Sequence, residues 1–160
     1  AKDHVPKHYR KAVKVMARDI ELAVAAAKLA VEDAKLVTRS HASEGSDAPV
    51  TVPAERVGCQ IGAGLISAEV DELTSALATA TVDDGHGGRA FSLKAWGETG
   101  LSNLQPLWML KYLPNMLACH VTIIHGAEGP SNTITCGEAS GLLSLGEGSA
   151  LPQLGGPDVK

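Results

Sequence analysis

Between Lys11 and Leu36 the apolar side chains fall at Val13, Met16, Ala17, Ile20, Val24, Ala27, Val31 and Ala34. Steps of three and four residues line one face of a helix, so the spacing predicts an amphipathic helix across this segment. The stretch from Ser40 to Pro53 is rich in Ser, Gly, Asp and Pro, which favour turns and leave little to bury; it reads as an exposed loop over 40–53. A short apolar run, Val57 to Ile61, leads into Gly62 and Gly64, and helical periodicity then runs from Ser67 to Thr79 through Val70, Leu73 and Leu77, with Ala80 just beyond. Strand, glycine turn and helix fit that order.

The segment Asp83 to Arg89 (DDGHGGR) carries too many glycines for regular structure and is expected to be a flexible, glycine-rich loop over 83–89. Its flanks lack the strand and helix that a phosphate-binding loop requires. From Leu104 to Ile124 the chain is apolar and helix-compatible, but Pro106 and Pro114 interrupt it, which predicts two or three short helices. Thr133 to Cys136 favours a strand, Gly137 to Gly141 (GEASG) is small and turn-like, and Leu142 to Gly146 can open a helix. No fixed-period repeat links these segments, and the alternation of strand and helix predicts a layered α/β fold.

Length changes the picture little: 160 residues at 44% hydrophobic content suit one globular core, here expected as a single domain over 1–160. Aromatic residues are only 3% while glycines number 17, so closely approaching backbones should matter more than large rings. The net charge of −4 is mild, and the basic residues near the start (Lys2, Lys7, Arg10, Lys11, Lys14, Arg18) have no interleaved aromatics to stack bases, which argues against nucleic acid. Ala1 to Tyr9 lacks the apolar run of a signal peptide and no later run is long enough to span a bilayer, so no membrane partner is expected. Cys59, Cys119 and Cys136 form no CxxC pair, which argues against a disulfide framework or zinc site and points to a reducing, cytoplasmic setting.

The chemistry concentrates at the strand-to-helix corner. A residue on such a turn is exposed by the sharp bend and lies near helix N-terminal amides that favour negative charge. Glu138 has this setting, with Gly137, Ala139, Ser140 and Gly141 around it to admit a substrate. The blander reading is an acid that complements the helix dipole. Cys119 and Cys136 read as small buried packing residues, and His120 and His125, five apart, share no helical face for paired metal ligation. Neither a metal nor a cofactor is predicted. Trp96 and Trp108 are the largest apolar groups and suit a core or an interface.

The run Pro114-Asn115-Met116-Leu117-Ala118-Cys119-His120-Val121-Thr122-Ile123, then Gly129-Pro130-Ser131, then Cys136-Gly137-Glu138-Ala139-Ser140-Gly141, resembles the active-site approach of the β-ketoacyl synthases, thiolase-fold enzymes that condense acyl thioesters. The likeness extends more weakly through the helix near Arg18 to Asp33 and the strand and glycine turn Val57 to Gly64. Matching Ser140 and Gly141 to the family pattern places its acyl-accepting cysteine on Glu138, with Cys136 two residues too early.

The resemblance implies the N-terminal portion of a thiolase-like α/β fold, fading after Ser149 into a tail over 151–160. It further implies a place in fatty-acid or polyketide biosynthesis, an acyl carrier protein or acyl thioester as partner, and a homo- or hetero-oligomer. Two parts of the family pattern have no counterpart in this sequence: the opening strand and loops before the first helix, and the later half that supplies two histidines and a lysine. A carboxylate attacks thioesters far less readily than a thiolate, so condensation by this chain alone is not expected. Relatives with glutamine at the corner act as chain-length partners or decarboxylases, and a protonated glutamate resembles glutamine in shape and hydrogen bonding. Two further readings follow: a non-catalytic subunit completed by another polypeptide, or a thioester decarboxylase that borrows acid-base groups from a partner.

Overall fold

The computed structural model describes residues 2–40 and 48–154. In chain order its principal elements are a 3-10 segment Lys7–Val15, α1 (Arg18–Asp33), β1 (Cys59–Gly62), α2 (Val70–Thr79), β2 (Thr81–Asp83), β3 (Arg89–Phe91), α3 (Met116–His125), β4 (Ser131–Ile134) and α4 (Ser140–Leu154). They divide into two compact units, one made of Ala1–Ile66 with Leu113–Lys160 and the other of Ser67–Tyr112.

In the first unit, β1 and β4 pair in parallel from Cys59↔Ser131 to Gly62↔Ile134. Helix α4 packs on one face of this pair and α3 on the other, with α1 laid against α3. The strand pleat assigns the faces: Gln60 and Gly62 turn toward α4, where they approach Gly148 and Ser140. Cys59 and Ile61 turn the other way and share a cavity with Val121 and His125 of α3. Ile20 and Val24 of α1 are fully buried, and Leu117, Val121 and Ile124 of α3 complete the core.

The continuous helix expected from Lys11 onward is broken. Met16 is extended and Ala17 is the N-cap of α1, so the chain makes a 3-10 segment, a bend and then an α-helix. Both bend residues are buried, which consecutive positions on one amphipathic helix achieve poorly. Tyr9, on the 3-10 segment, lies with its hydroxyl 2.8 Å from Nδ1 of the buried His120 on α3. Within the 40–53 segment, Ser40 is buried rather than exposed, 48–51 is exposed, and residues 41–47 lie outside the described residues. Helix α4 runs through Leu154, so the start of the expected tail is helical; 155–160 lie outside the described residues.

The second unit joins α2 to a β2–β3 hairpin whose register runs from Thr81↔Phe91 to Asp83↔Arg89. The glycine-rich segment is the loop of this hairpin, and its acidic side chains order it. Asp84 Oδ1 accepts from the amides of His86 (2.8 Å) and Gly88 (2.9 Å), and Asp83 Oδ1 accepts from Gly85 (2.7 Å). Side-chain bonds of this kind stand in for the turn's own backbone bonds.

After the hairpin, Ser92 caps a helical turn Leu93–Ala95 that continues as a π turn, Trp96–Gly100, and a 3-10 segment covers Trp108–Lys111. Glu72 of α2 gathers that last segment. Its carboxylate accepts from Trp108 Nε1 at 2.9 Å, Tyr112 Oη at 2.7 Å and Lys111 Nζ at 2.5 Å. The Lys111 hydrogen bond, acting against burial and aided by Tyr112, the Lys111 charge and Trp108, holds the Glu72 carboxyl below the usual carboxylate range. For Lys111, burial opposes the charge, but the bonds to Glu72 and Tyr112 prevail and its pKa is raised.

Candidate functional site

Strand β4 ends at Ile134 and α4 starts at Ser140, so Thr135–Ala139 make the corner. Three features hold it tight. Gly137 takes a left-handed conformation, φ +53°, which a side chain would strain. Ser140 is buried, and its Oγ accepts from the Cys136 amide at 2.8 Å while donating to the Gly137 carbonyl at 2.6 Å. Third, a Cβ on Gly62 would stand 2.3 Å from the Ser140 carbonyl oxygen, so only glycine there lets the start of α4 lie against β1. The Leu143 amide donates to Ala139 O at 3.0 Å and closes the first turn.

This clamp presents residue 138. Glu138 is exposed between exposed Gly137 and Ala139, and among the described residues its side chain has no hydrogen-bond or ion-pair partner. Its position just before α4 places it beside amides without intrahelical acceptors, a setting that suits a carboxylate. The strand-to-helix junction read from the sequence is therefore where the structure puts Glu138.

The other candidates are placed differently. Cys136, expected as buried packing, is exposed on the turn because the corner faces its side chain outward and engages only its backbone. Cys59 and Cys119 are half-buried, and burial pushes the Cys59 thiol up. His120 is buried against Tyr9; burial pushes its pKa down, and its Nε2 has no partner among the described residues. His125, also buried, has Nδ1 2.9 Å from Thr38 Oγ1 and 3.5 Å from Ser40 Oγ. Both histidines thus pin neighbouring segments to α3. Among the described residues no three His, Cys, Asp or Glu side chains gather to hold a metal. Trp96 lies 6.2 Å from the Phe91 ring, and Trp108 bonds to Glu72, both within Ser67–Tyr112.

Sequence reasoning passed over Ser140 and Gly62 as parts of the clamp. Their signal was available, since a hydroxyl three residues past a turn glycine and a glycine inside a strand both imply local bonding or close approach.

Residues 2–151 match the family model described as Beta-ketoacyl synthase, N-terminal domain. The chain belongs to the β-ketoacyl synthase family. No match was found among curated proteins. As a β-ketoacyl synthase N-terminal domain, its helix-flanked parallel strands form part of a thiolase-like α/β fold. The family match spans both compact units. The family places this chain, at its broadest, with the ketosynthase-like proteins of fatty-acid or polyketide biosynthesis. No helix among the described residues is long and apolar enough to cross a membrane.

Proposed function

We propose that this ketosynthase-family chain handles acyl thioesters carried by an acyl carrier protein at the Glu138 corner without itself condensing them. The observation that carries this reading is an exposed carboxylate on a clamped strand-to-helix turn with small neighbours, at the position matched to the family nucleophile. Attack by a carboxylate on a thioester would expel the thiolate and leave a mixed anhydride, a path that offers no advantage for forming a carbon-carbon bond.

Incubation with an acyl carrier protein thioester, followed by intact mass measurement, tests the assignment. The native chain should gain no acyl group, whereas Glu138→Cys should gain one. A variant that stays unmodified would remove residue 138 from the acyl-accepting position, and ketoacyl product from the native chain with a malonyl carrier protein would refute the loss of condensation.

A second reading, an interaction subunit, has its own support. Helix α4 turns leucines outward: Leu142 and Leu145 are 77% and 69% exposed, while Ser140 and Ser144 are buried. Large apolar side chains exposed together on one helix suit contact with a partner. Both readings accommodate a homo- or hetero-oligomer, and a cytoplasmic location fits either.

A further inference from the structure

Asp84-Gly85, in the loop of the β2–β3 hairpin, is the one place in the sequence where an aspartate precedes glycine, and no asparagine precedes glycine. Such a pair carries its own chemistry. With no side chain on Gly85 to crowd it, the Gly85 backbone nitrogen can close on Asp84 Cγ. That attack forms an N–Cγ bond and expels the carboxyl hydroxyl, which leaves as water with the amide proton, and a five-membered succinimide results. Water then reopens the ring. Addition at Cγ restores aspartate, whereas addition at the Asp84 main-chain carbonyl breaks its bond to the Gly85 nitrogen and leaves the chain running through the former side chain as isoaspartate. The mass is unchanged, and no oxidant or cofactor enters.

In the folded hairpin both reacting groups are already engaged. The nucleophile, the Gly85 amide, donates to Asp83 Oδ1 at 2.7 Å. An amide held against a carboxylate gives up its proton less readily, because the anion it becomes would face a like charge. The electrophile, the Asp84 carboxyl, accepts at Oδ1 from the His86 and Gly88 amides at 2.8 and 2.9 Å, while the Asp84 amide donates to Gly88 O at 3.1 Å. Ring closure needs the neutral acid, from which water can leave. The two amides, His86 foremost, favour the ionised form and hold this carboxyl below the usual carboxylate range. Bulk adds no protection, since Asp84 and Gly85 are both exposed.

From this arrangement we infer that Asp84-Gly85 is a conditional isoaspartate-forming site, guarded by Asp83 and the loop amides while the hairpin is formed and released when it opens. Conversion alters the loop for good. The product's free carboxylate sits directly on Cα and the main chain gains one carbon, so the bonds to His86 and Gly88 are not regained as they stand. Time spent with the hairpin open thus leaves a covalent mark. The inference concerns Ser67–Tyr112 and does not depend on what Glu138 does.

Incubating the full chain at neutral pH, either folded or unfolded in urea, tests this. Isoaspartate is read with an isoaspartyl methyltransferase and labelled S-adenosylmethionine, and is located by peptide mapping. Conversion at residue 84 should run at least about tenfold slower in the folded chain, a factor in keeping with hydrogen bonds to a charged acceptor. Asp83→Ala frees the Gly85 amide and leaves Asp84-Gly85 intact; it should raise the folded rate about fivefold with an unchanged circular dichroism spectrum. Asp83→Asn keeps the shape and an acceptor without the charge. It stands in if the alanine variant does not fold, and should raise the rate about twofold. In urea, Asp84→Glu should abolish the signal at this position, because a six-membered ring closes far more slowly than a five-membered one.

Equal rates in the folded and unfolded native chain would show that the hairpin protects nothing and would overturn the inference. So would a folded Asp83→Ala or Asp83→Asn chain that converts at the native rate, or an Asp84→Glu chain whose total isoaspartate in urea is undiminished.

Discussion

In the unit that carries the corner, neighbouring elements meet where a glycine leaves room: the start of α4 lies on β1 because Gly62 has no side chain. In Ser67–Tyr112 the closure is polar, with one Glu72 carboxylate drawing in Trp108, Lys111 and Tyr112. The first kind of contact is sensitive to a single added methyl and indifferent to pH. The second tolerates small changes of volume and depends on ionisation. One chain therefore offers two distinct points of failure.

The largest effect should come from Gly62→Ala. Its Cβ would meet the Ser140 carbonyl oxygen at 2.3 Å and the Gly141 nitrogen at 2.5 Å, both backbone atoms. A loss of about 3 kcal/mol in urea unfolding is expected. Unchanged stability would mean that α4 moves off the strand at little cost, and the contrast would dissolve.

Next comes Glu72→Ala, which leaves three donors without their acceptor and should cost about 2 kcal/mol. The same carboxylate gives this unit a pH response. Because its folded pKa lies below the unfolded value of about 4.3, its contribution is fully present above that value and is lost as pH falls through the lower folded one. Unfolding followed by Trp fluorescence between neutral and acidic pH should show this loss in the native chain and not in Glu72→Ala.

A smaller change, about 1.5 kcal/mol, is expected for Tyr9→Phe, which leaves Nδ1 of the buried His120 unpaired. His120 also refines the claim of pH indifference. Burial lowers its folded pKa, so its contribution is present above the unfolded value of about 6.5 and lost as pH falls through the folded one. Imidazole NMR titration should find a midpoint below that value. Smallest is Gly137→Ala, where the open space around the residue leaves only the left-handed conformation to oppose a methyl, at about 1 kcal/mol. Chemical denaturation measures it, and an equal or larger cost than Gly62→Ala would reverse the order given to close approach and strain.

What could be read in advance follows the range of the interactions. Strand β1, helix α2 and the β4-to-α4 corner rest on local periodicity and turn chemistry, and each was legible. The break at Met16 and Ala17 was not, because burial of two adjacent residues overrides the helical pattern. Glu72 gave no sign of its role, since its partners lie 36 to 40 residues away and nothing local pairs them. The corner itself was visible because its small residues, Ser140 among them, are contiguous, whereas the glycine that lets α4 lie close, Gly62, comes from a strand far upstream.

Cys136 sits exposed two residues from Glu138, while Cys59 and Cys119 are partly covered and burial holds the Cys59 thiol up. The turn thus comes with its own chemical handle. A maleimide fluorophore should attach there first, giving an optical reporter of whatever approaches the corner without any engineered residue.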